Sequence, residues 1–467
     1  MAANMTRWTP WRVEARALLA LSLPLIIGNL GWSAIAATDL LLLGHLGPDA
    51  VAAGSLGLNL YMALLIFGIG LTTAASPLIA SERGQRAHSV REIRRTVRQC
   101  LWTAIVFCAP SWALLSYAEA ILVRIGQEPG LAAQAGELVH SLQWALLPYL
   151  GYLTLRNFVA ALERPIWGVV VTILAVPVNA AAGWVLIFGH LGLPALGLRG
   201  AGLASLSTAI FMFIGMVVVV CVDHGFRRYR LFGRFWSADW ARFREIWRVG
   251  LPIAVTLALE VTVFNGAVFL MGLIGRAPLA AHAIAMQIAA LVFMVPLGIG
   301  QAATVRVGLA HGRRDAAAAG RAGWVALVAG MAFAACSAAL LIGAPQLLIS
   351  GFIDVHAPGN EAVVRIATSF LAIAALFQLF DCTQAVAAGV LRGLQDTRIP
   401  MFFAAIGYWV IGLGVGSLLA FPAGLGGEGI WLGLASGLGV VAMLMLWRWS
   451  RRDRLGLVPD SDAFAQA

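Results

Sequence analysis

The chain has 467 residues, 60% hydrophobic and 12% charged, with a formal net charge of +10. A soluble protein of this length needs a larger polar share to cover its surface, so the composition points to an all-α polytopic membrane protein. All 32 basic residues are arginines, which excludes a Walker A loop, whose lysine contacts the phosphates.

Apolar runs set against breaks give twelve expected spans, near 17–43, 51–80, 99–120, 138–160, 167–190, 200–222, 249–272, 280–305, 322–345, 366–389, 401–422 and 429–447. With the N-terminus placed in the cytoplasm, 28 arginines fall inside and only Arg124, Arg199, Arg276 and Arg365 fall outside. That is the positive-inside bias, so the expectation is an inner-membrane protein with both termini cytoplasmic, and the basic charge is topological rather than a sign of nucleic-acid binding. The first apolar run is too long for a cleavable signal. The five cysteines sit singly at or within apolar runs with no CxxC pair, which reads as small core residues.

Sliding the chain over itself until Pro24 meets Pro252 lays Ser22–Gly47 over Gly250–Gly275, with Gly44 on Gly272 and Gly47 on Gly275. The same offset pairs Ala52-Ala53 with Ala280-Ala281, Gly70 with Gly298 and Gly84 with Gly312, and a slightly larger one sets RNFVAALERP from Arg156 against RGLQDTRIP from Arg392. Two homologous six-helix lobes follow, 1–222 and 249–447, joined by a basic cytoplasmic linker at 223–248 and ended by a cytoplasmic tail at 448–467. An even number of spans per repeat gives both lobes the same orientation, an arrangement transporters use to form a site between bundles. The Gly433–Gly437 spacing reads as helix contact.

The repeat does not extend to the charges. Glu260 falls on Trp32, and Asp39 falls on Ala267. Glu260 stands eleven residues into the seventh span, about 16 Å by helix rise, near the midplane of a hydrocarbon layer ~30 Å thick. Asp381 lies fifteen residues from the outer end of its span, about 22 Å, at a comparable depth. Carboxylates at that depth mark function by default, and a close pair requires a shared proton or a cation such as Na⁺, which Glu260 and Asp381 would then ligate. No arginine within the spans is placed to neutralise them. Thr256, Gln378 and Gln384 share helix faces with these acids and Gln287 sits deep in the next span, so they read as a polar pocket or as interhelical hydrogen bonding. Asp39 reads as a separate protonation site or an interfacial cap before Gly44, and Asn179, after Pro177, is a weaker candidate. Asp49, Glu163, Asp315, Asp354 and Asp396 fall where capping and solvation suffice. His282 reads as a satisfied interfacial histidine. Trp144, Tyr149, Tyr152, Tyr408 and Trp409 suit organic cations but mostly read as an aromatic belt.

The stretches TDLLLLGHLG, PVNAAAGWVLIFG from Pro177, LAAHAIAMQIAALVFMVPLGIGQAATVRVG from Leu279 and FDCTQAVAAGVLRGLQDTRIP from Phe380 resemble the multidrug and toxic compound extrusion (MATE) family in its NorM-like branch. The likeness covers all twelve spans. It implies a V-shaped bundle of two six-helix lobes and an antiporter that exports cationic, amphipathic compounds against Na⁺ or H⁺. It carries the seventh-span glutamate to Glu260, the acid before the LRG motif to Asp381, the first-span acid to Asp39 and the fifth-span asparagine to Asn179. Gln287 departs from the asparagine common at its place.

The expected function is therefore a multidrug antiporter with no cofactor beyond the coupling ion. Its expected partners are organic cations and membrane lipid, and a monomer is the expected state. A lipid or lipid-linked precursor flippase of related architecture is the alternative, favoured only by a broad basic cavity. HExxH and GxSxG motifs are missing, which argues against a membrane-embedded enzyme.

Overall fold

Backbone polar groups within lipid must be satisfied inside their own segment, so long apolar runs become helices. The computed structural model describes residues 2–85, 89–233 and 235–458, and among these eleven helices are long and apolar enough to cross a membrane. Taken with the two shorter helices of the remaining crossing, they are α1 (Ala2–Gly44), α2 (Pro48–Gln85), α3 (Ser89–Ser116), α4 (Pro129–Leu142), α5 (Leu146–Ala161), α6 (Ile166–Phe188), α7 (Gly197–Val222), α8 (Trp240–Ile274), α9 (Arg276–Gly312), α10 (Ala316–Gly343), α11 (Glu361–Gly393), α12 (Arg398–Ala420) and α13 (Gly426–Ser450).

The expected span at 138–160 is α4 and α5, separated by a 3₁₀ turn at Gln143–Ala145. Two local causes coincide there. Pro148 has no N–H to return to the carbonyl of Trp144, and the Gln143 carbonyl is taken by the indole N–H of Trp112 at 2.9 Å. The twelve-span reading thus stands, with one crossing made of two pieces. In α12 the stretch Ala405–Leu413 is π-helical. The glycines of α12 meet those of α13: a Cβ on Gly433 would strike Gly416, and one on Gly437 would strike the Gly407 carbonyl and Gly412, so the 433–437 spacing is helix contact.

The chain forms two compact units by its contacts, an N unit of Ile27–Ala254 and a C unit of Met1–Ile26 with Val255–Ala467. It passes from one to the other inside α1 and inside α8, at positions related by the repeat offset. Within the N unit Gly70 of α2 lies so close to Ala254 of α8 that a Cβ would strike its backbone. Within the C unit Gly298 of α9 meets Ile26 of α1 in the same manner. Both members of this contact are repeat-related, so a missing side chain is what lets each crossing helix dock.

The basic segment 223–248 packs within the N unit. The Trp102 indole donates to the Phe235 carbonyl at 3.0 Å, the Gln99 amide to the Ser237 carbonyl at 3.3 Å and Arg95 to Asp239 at 2.6 Å. Arg242 then meets Glu82 at 2.8 Å and Glu92 at 2.9 Å. Partial burial works to raise the Asp239 carboxyl, but the bond from Arg95, the Arg242 backbone N–H and both guanidinium charges outweigh it and hold the carboxyl below its ordinary range. In the C unit, Arg306 of α9 grips Glu14 of α1 with two N–H groups, at 2.7 and 2.6 Å.

Candidate functional site

Each unit carries its own cluster of polar side chains among apolar helices. In the N unit Asp39 of α1 accepts from the Asn179 amide of α6 at 2.9 Å and from the Ser205 hydroxyl of α7 at 3.2 Å. Asn179 is fully buried, and its carbonyl oxygen has no partner among the described residues. Asp39 borders a cavity of about 80 Å³ whose wall includes Trp32, Tyr61, Met62, Tyr149 and Met212. Three helices thus hold the carboxylate as an acceptor against an aromatic and thioether wall. Asp39 is no cap for the helix end: its partners come from neighbouring helices rather than from the turn at Gly44. Ser205 escaped the sequence reading because it is one of three hydroxyl residues in LASLSTA, with no spacing that singles it out.

In the C unit Asp381 of α11 is buried, and its Oδ1 accepts no hydrogen bond among the described residues. The same holds for Gln378 Oε1 and Gln384 Oε1, whose amide groups are turned elsewhere, toward Cys382 Sγ at 3.2 Å and the Tyr408 hydroxyl at 2.7 Å. Three buried acceptors on one helix therefore lack a donor, an arrangement that costs free energy unless a proton or cation fills it. Glu260 of α8 stands at the same level. Phe264, one turn on from it, packs against Phe377, one turn from Asp381, with ring centroids 6.1 Å apart. Glu260 and Asp381 lie within electrostatic reach of one another, and Tyr408, in the π-helical stretch of α12, is within reach of both. Tyr408 is buried, not part of an interfacial belt. Thr256 is buried one turn before Glu260, whereas Gln287 stands exposed on α9, outside this buried group.

Two expectations change. Arg392 lies past the expected end of its span at 389, but α11 continues to Gly393, and the guanidinium comes within electrostatic reach of Glu260. A cation is therefore placed to compensate Glu260 after all. The pairing of Arg156 with Arg392 in the repeat was the available signal, since Arg156 donates to Asn29 on the N unit's part of α1 at 2.8 Å. His282 is not a satisfied interfacial residue either. It is 1% exposed, neither ring nitrogen has a partner among the described residues, and its ring stands edge-on to Trp431 at 5.5 Å.

The MatE family profile matches residues 24–185 and again residues 252–418, two stretches that begin at the repeat-related prolines Pro24 and Pro252. The chain belongs to the MatE family. Both repeats carry the MatE signature, so the internal likeness reflects duplication of one unit. Curated MatE relatives include the probable multidrug resistance protein NorM of Mesorhizobium japonicum, 56% identical over 445 residues and 95% of each chain. The probable NorM of Brucella suis is 50% identical over 441 residues and 94% of each chain. Among solved structures, the eukaryotic MATE transporter AtDTX14 superposes with a TM-score of 0.83 over 96% of this chain and 100% of its own at 21% identity. A multidrug resistance MATE transporter in an outward-facing conformation gives 0.84 over 95% and 96% at 19%. At those identities the likeness establishes the fold, a twelve-helix bundle of two lobes.

Proposed function

We propose that the chain is a secondary active antiporter that exports cationic, amphipathic organic compounds in exchange for Na⁺ or H⁺ across a bacterial inner membrane, with both termini cytoplasmic. The observation that carries this reading is the buried set of donor-less oxygens around Asp381, with Glu260 alongside. Leaving such a set unloaded costs free energy, which favours a proton or cation that comes and goes. The NorM relatives, named for multidrug resistance, support the substrate class.

Asp39 and its aromatic, methionine-lined cavity suit the cationic end of a substrate, the rings by cation–π attraction and the carboxylate by charge. About 80 Å³ is well below the ~300 Å³ of a drug-sized pocket, so the cavity receives a charged end rather than a whole molecule. An acidic cavity also argues for export of cations over the flipping of an anionic lipid precursor. Exchange follows if the protein alternates between two states, one preferred by substrate and the other by the coupling ion, because a ligand shifts an equilibrium only by its differential affinity.

The test is efflux of a fluorescent organic cation from proteoliposomes under a Na⁺ gradient or a pH gradient imposed separately. Wild type is expected to respond to one of the two, and Asp381→Asn and Glu260→Gln to neither. Equal transport by the variants would refute the Asp381 account, and a protein that moves no cation under either gradient would refute antiport.

A further inference from the structure

A second cavity of the N unit has no part in the transport reading. It measures about 210 Å³, and Arg83, Arg164, His224, Arg228 and Tyr229 stand on its wall. Arg83 is paired with Glu163 at 2.9 Å, and Arg164 with Asp223 at 3.5 Å. Arg228 meets no carboxylate within ion-pair distance among the described residues. Its guanidinium donates to the Tyr229 hydroxyl at 3.1 Å and lies 5.0 Å over the same ring. Three guanidinium groups against two carboxylates leave the cavity positive, and each guanidinium has five N–H donors, more than these contacts consume. The chemistry that answers clustered guanidinium groups is phosphate, bound through paired N–H donors.

A third cavity points to the source of that phosphate. It measures about 300 Å³, and its wall is apolar, with Leu101, Leu147, Pro148, Phe213, Phe232 and Phe235. The chain segment from His224 to Phe235 contributes to both cavities. Along the polypeptide of α5, Gly151 borders the apolar cavity and Leu162, just past the helix, borders the arginine cavity. Eleven residues of helix rise span about 16 Å, close to half of a ~30 Å hydrocarbon layer and hence to the depth of one leaflet. A free phosphate would leave the apolar cavity unused.

We propose that the arginine-lined cavity seats the phosphate of an anionic phospholipid, with an acyl chain reaching the apolar cavity. The site is independent of which ion or substrate the protein moves.

Native mass spectrometry of the full-length protein, offered phosphatidylglycerol and phosphatidylcholine of identical acyl chains, tests this directly. Wild type is expected to retain phosphatidylglycerol in preference, and Arg228→Gln to lose that preference by about tenfold, the effect of one charge-assisted hydrogen bond. Arg230→Gln, which removes an exposed charge outside the cavity, is expected to bind as wild type does, and thermal unfolding checks that all three proteins are equally folded. Leu147→Trp, which fills the apolar cavity, is expected to weaken long-chain lipid and spare short-chain lipid. Equal retention of the two lipids by wild type, or unchanged preference in Arg228→Gln, overturns the proposal. Displacement of phosphatidylglycerol by inorganic phosphate, dependent on Arg228, would overturn the lipid assignment in favour of a soluble phosphate.

Discussion

At matched positions of the repeat the N and C units keep their small residues and exchange their charges. Gly70 and Gly298 each let the adjoining helix pass from one unit to the other, against Ala254 and Ile26, and these partners are repeat-related too. Glu14 and Arg242 occupy equivalent places, yet one is the acid of its ion pair and the other the base. Trp32 borders the Asp39 cavity, where its counterpart Glu260 joins Asp381. Backbone packing has one solution per fold and is retained on duplication. Side chains facing a polar pocket are free to diverge, and here they diverged into a carboxylate with its donors in place and a carboxylate without them.

The sharpest way to break that contrast is to neutralise one acid in each unit. Asp381→Asn is expected to reduce gradient-driven export by at least about tenfold, within the usual range of coupling free energies. Asp39→Asn is expected instead to weaken binding of the organic cation while leaving the response to the coupling ion intact, measured by equilibrium binding with the ion titrated. Next in size is Arg242→Gln, which strands Glu82, 6% exposed, beside Glu92. The loss is expected to be about 3 kcal/mol, read as a lower unfolding temperature.

The scaffold can be probed without touching charge. Gly70→Leu drives a side chain into the backbone at Ala254 and is expected to destabilise by about 2 kcal/mol or more, whereas Gly44→Ala, with nothing within 4 Å, is expected to change stability by less than about 0.5 kcal/mol. Smallest of all is the effect of Asp239. Its folded carboxyl titrates below the ordinary 3.8, so its contribution to stability is full above that value and is lost as pH falls through the folded one. Asp239→Asn should therefore flatten the acid limb of the unfolding curve slightly, and a limb as steep as wild type would show that the pair with Arg95 contributes nothing.

Most of the architecture was legible because lipid leaves few options: a long apolar run with glycine or proline at its ends has to be a span, and the single offset exposed the duplication. The split of the fourth crossing was harder to read. It needed Pro148 and the indole of Trp112 together, and the second comes from a distant span. Charge placed at depth pointed to Asp39, Glu260 and Asp381 as candidates, and the family likeness to Asn179. Ser205 left no trace, since a hydroxyl in an apolar run has no spacing to betray which helix it faces, and for the same reason Tyr408 read as one of an aromatic belt rather than as a neighbour of the buried acids. Arg392 was assigned to a loop because composition ends a span where charge begins, although α11 runs on for another turn.

The central claim is that the oxygens around Asp381 are loaded by the coupling ion in competition with substrate. Equilibrium binding of a fluorescent organic cation to the purified protein, followed across pH with and without Na⁺, tests it most directly. The account predicts that affinity falls as one of the two ions loads and that this dependence disappears in Asp381→Asn. Affinity indifferent to both ions in wild type, or a dependence retained in the variant, would contradict it.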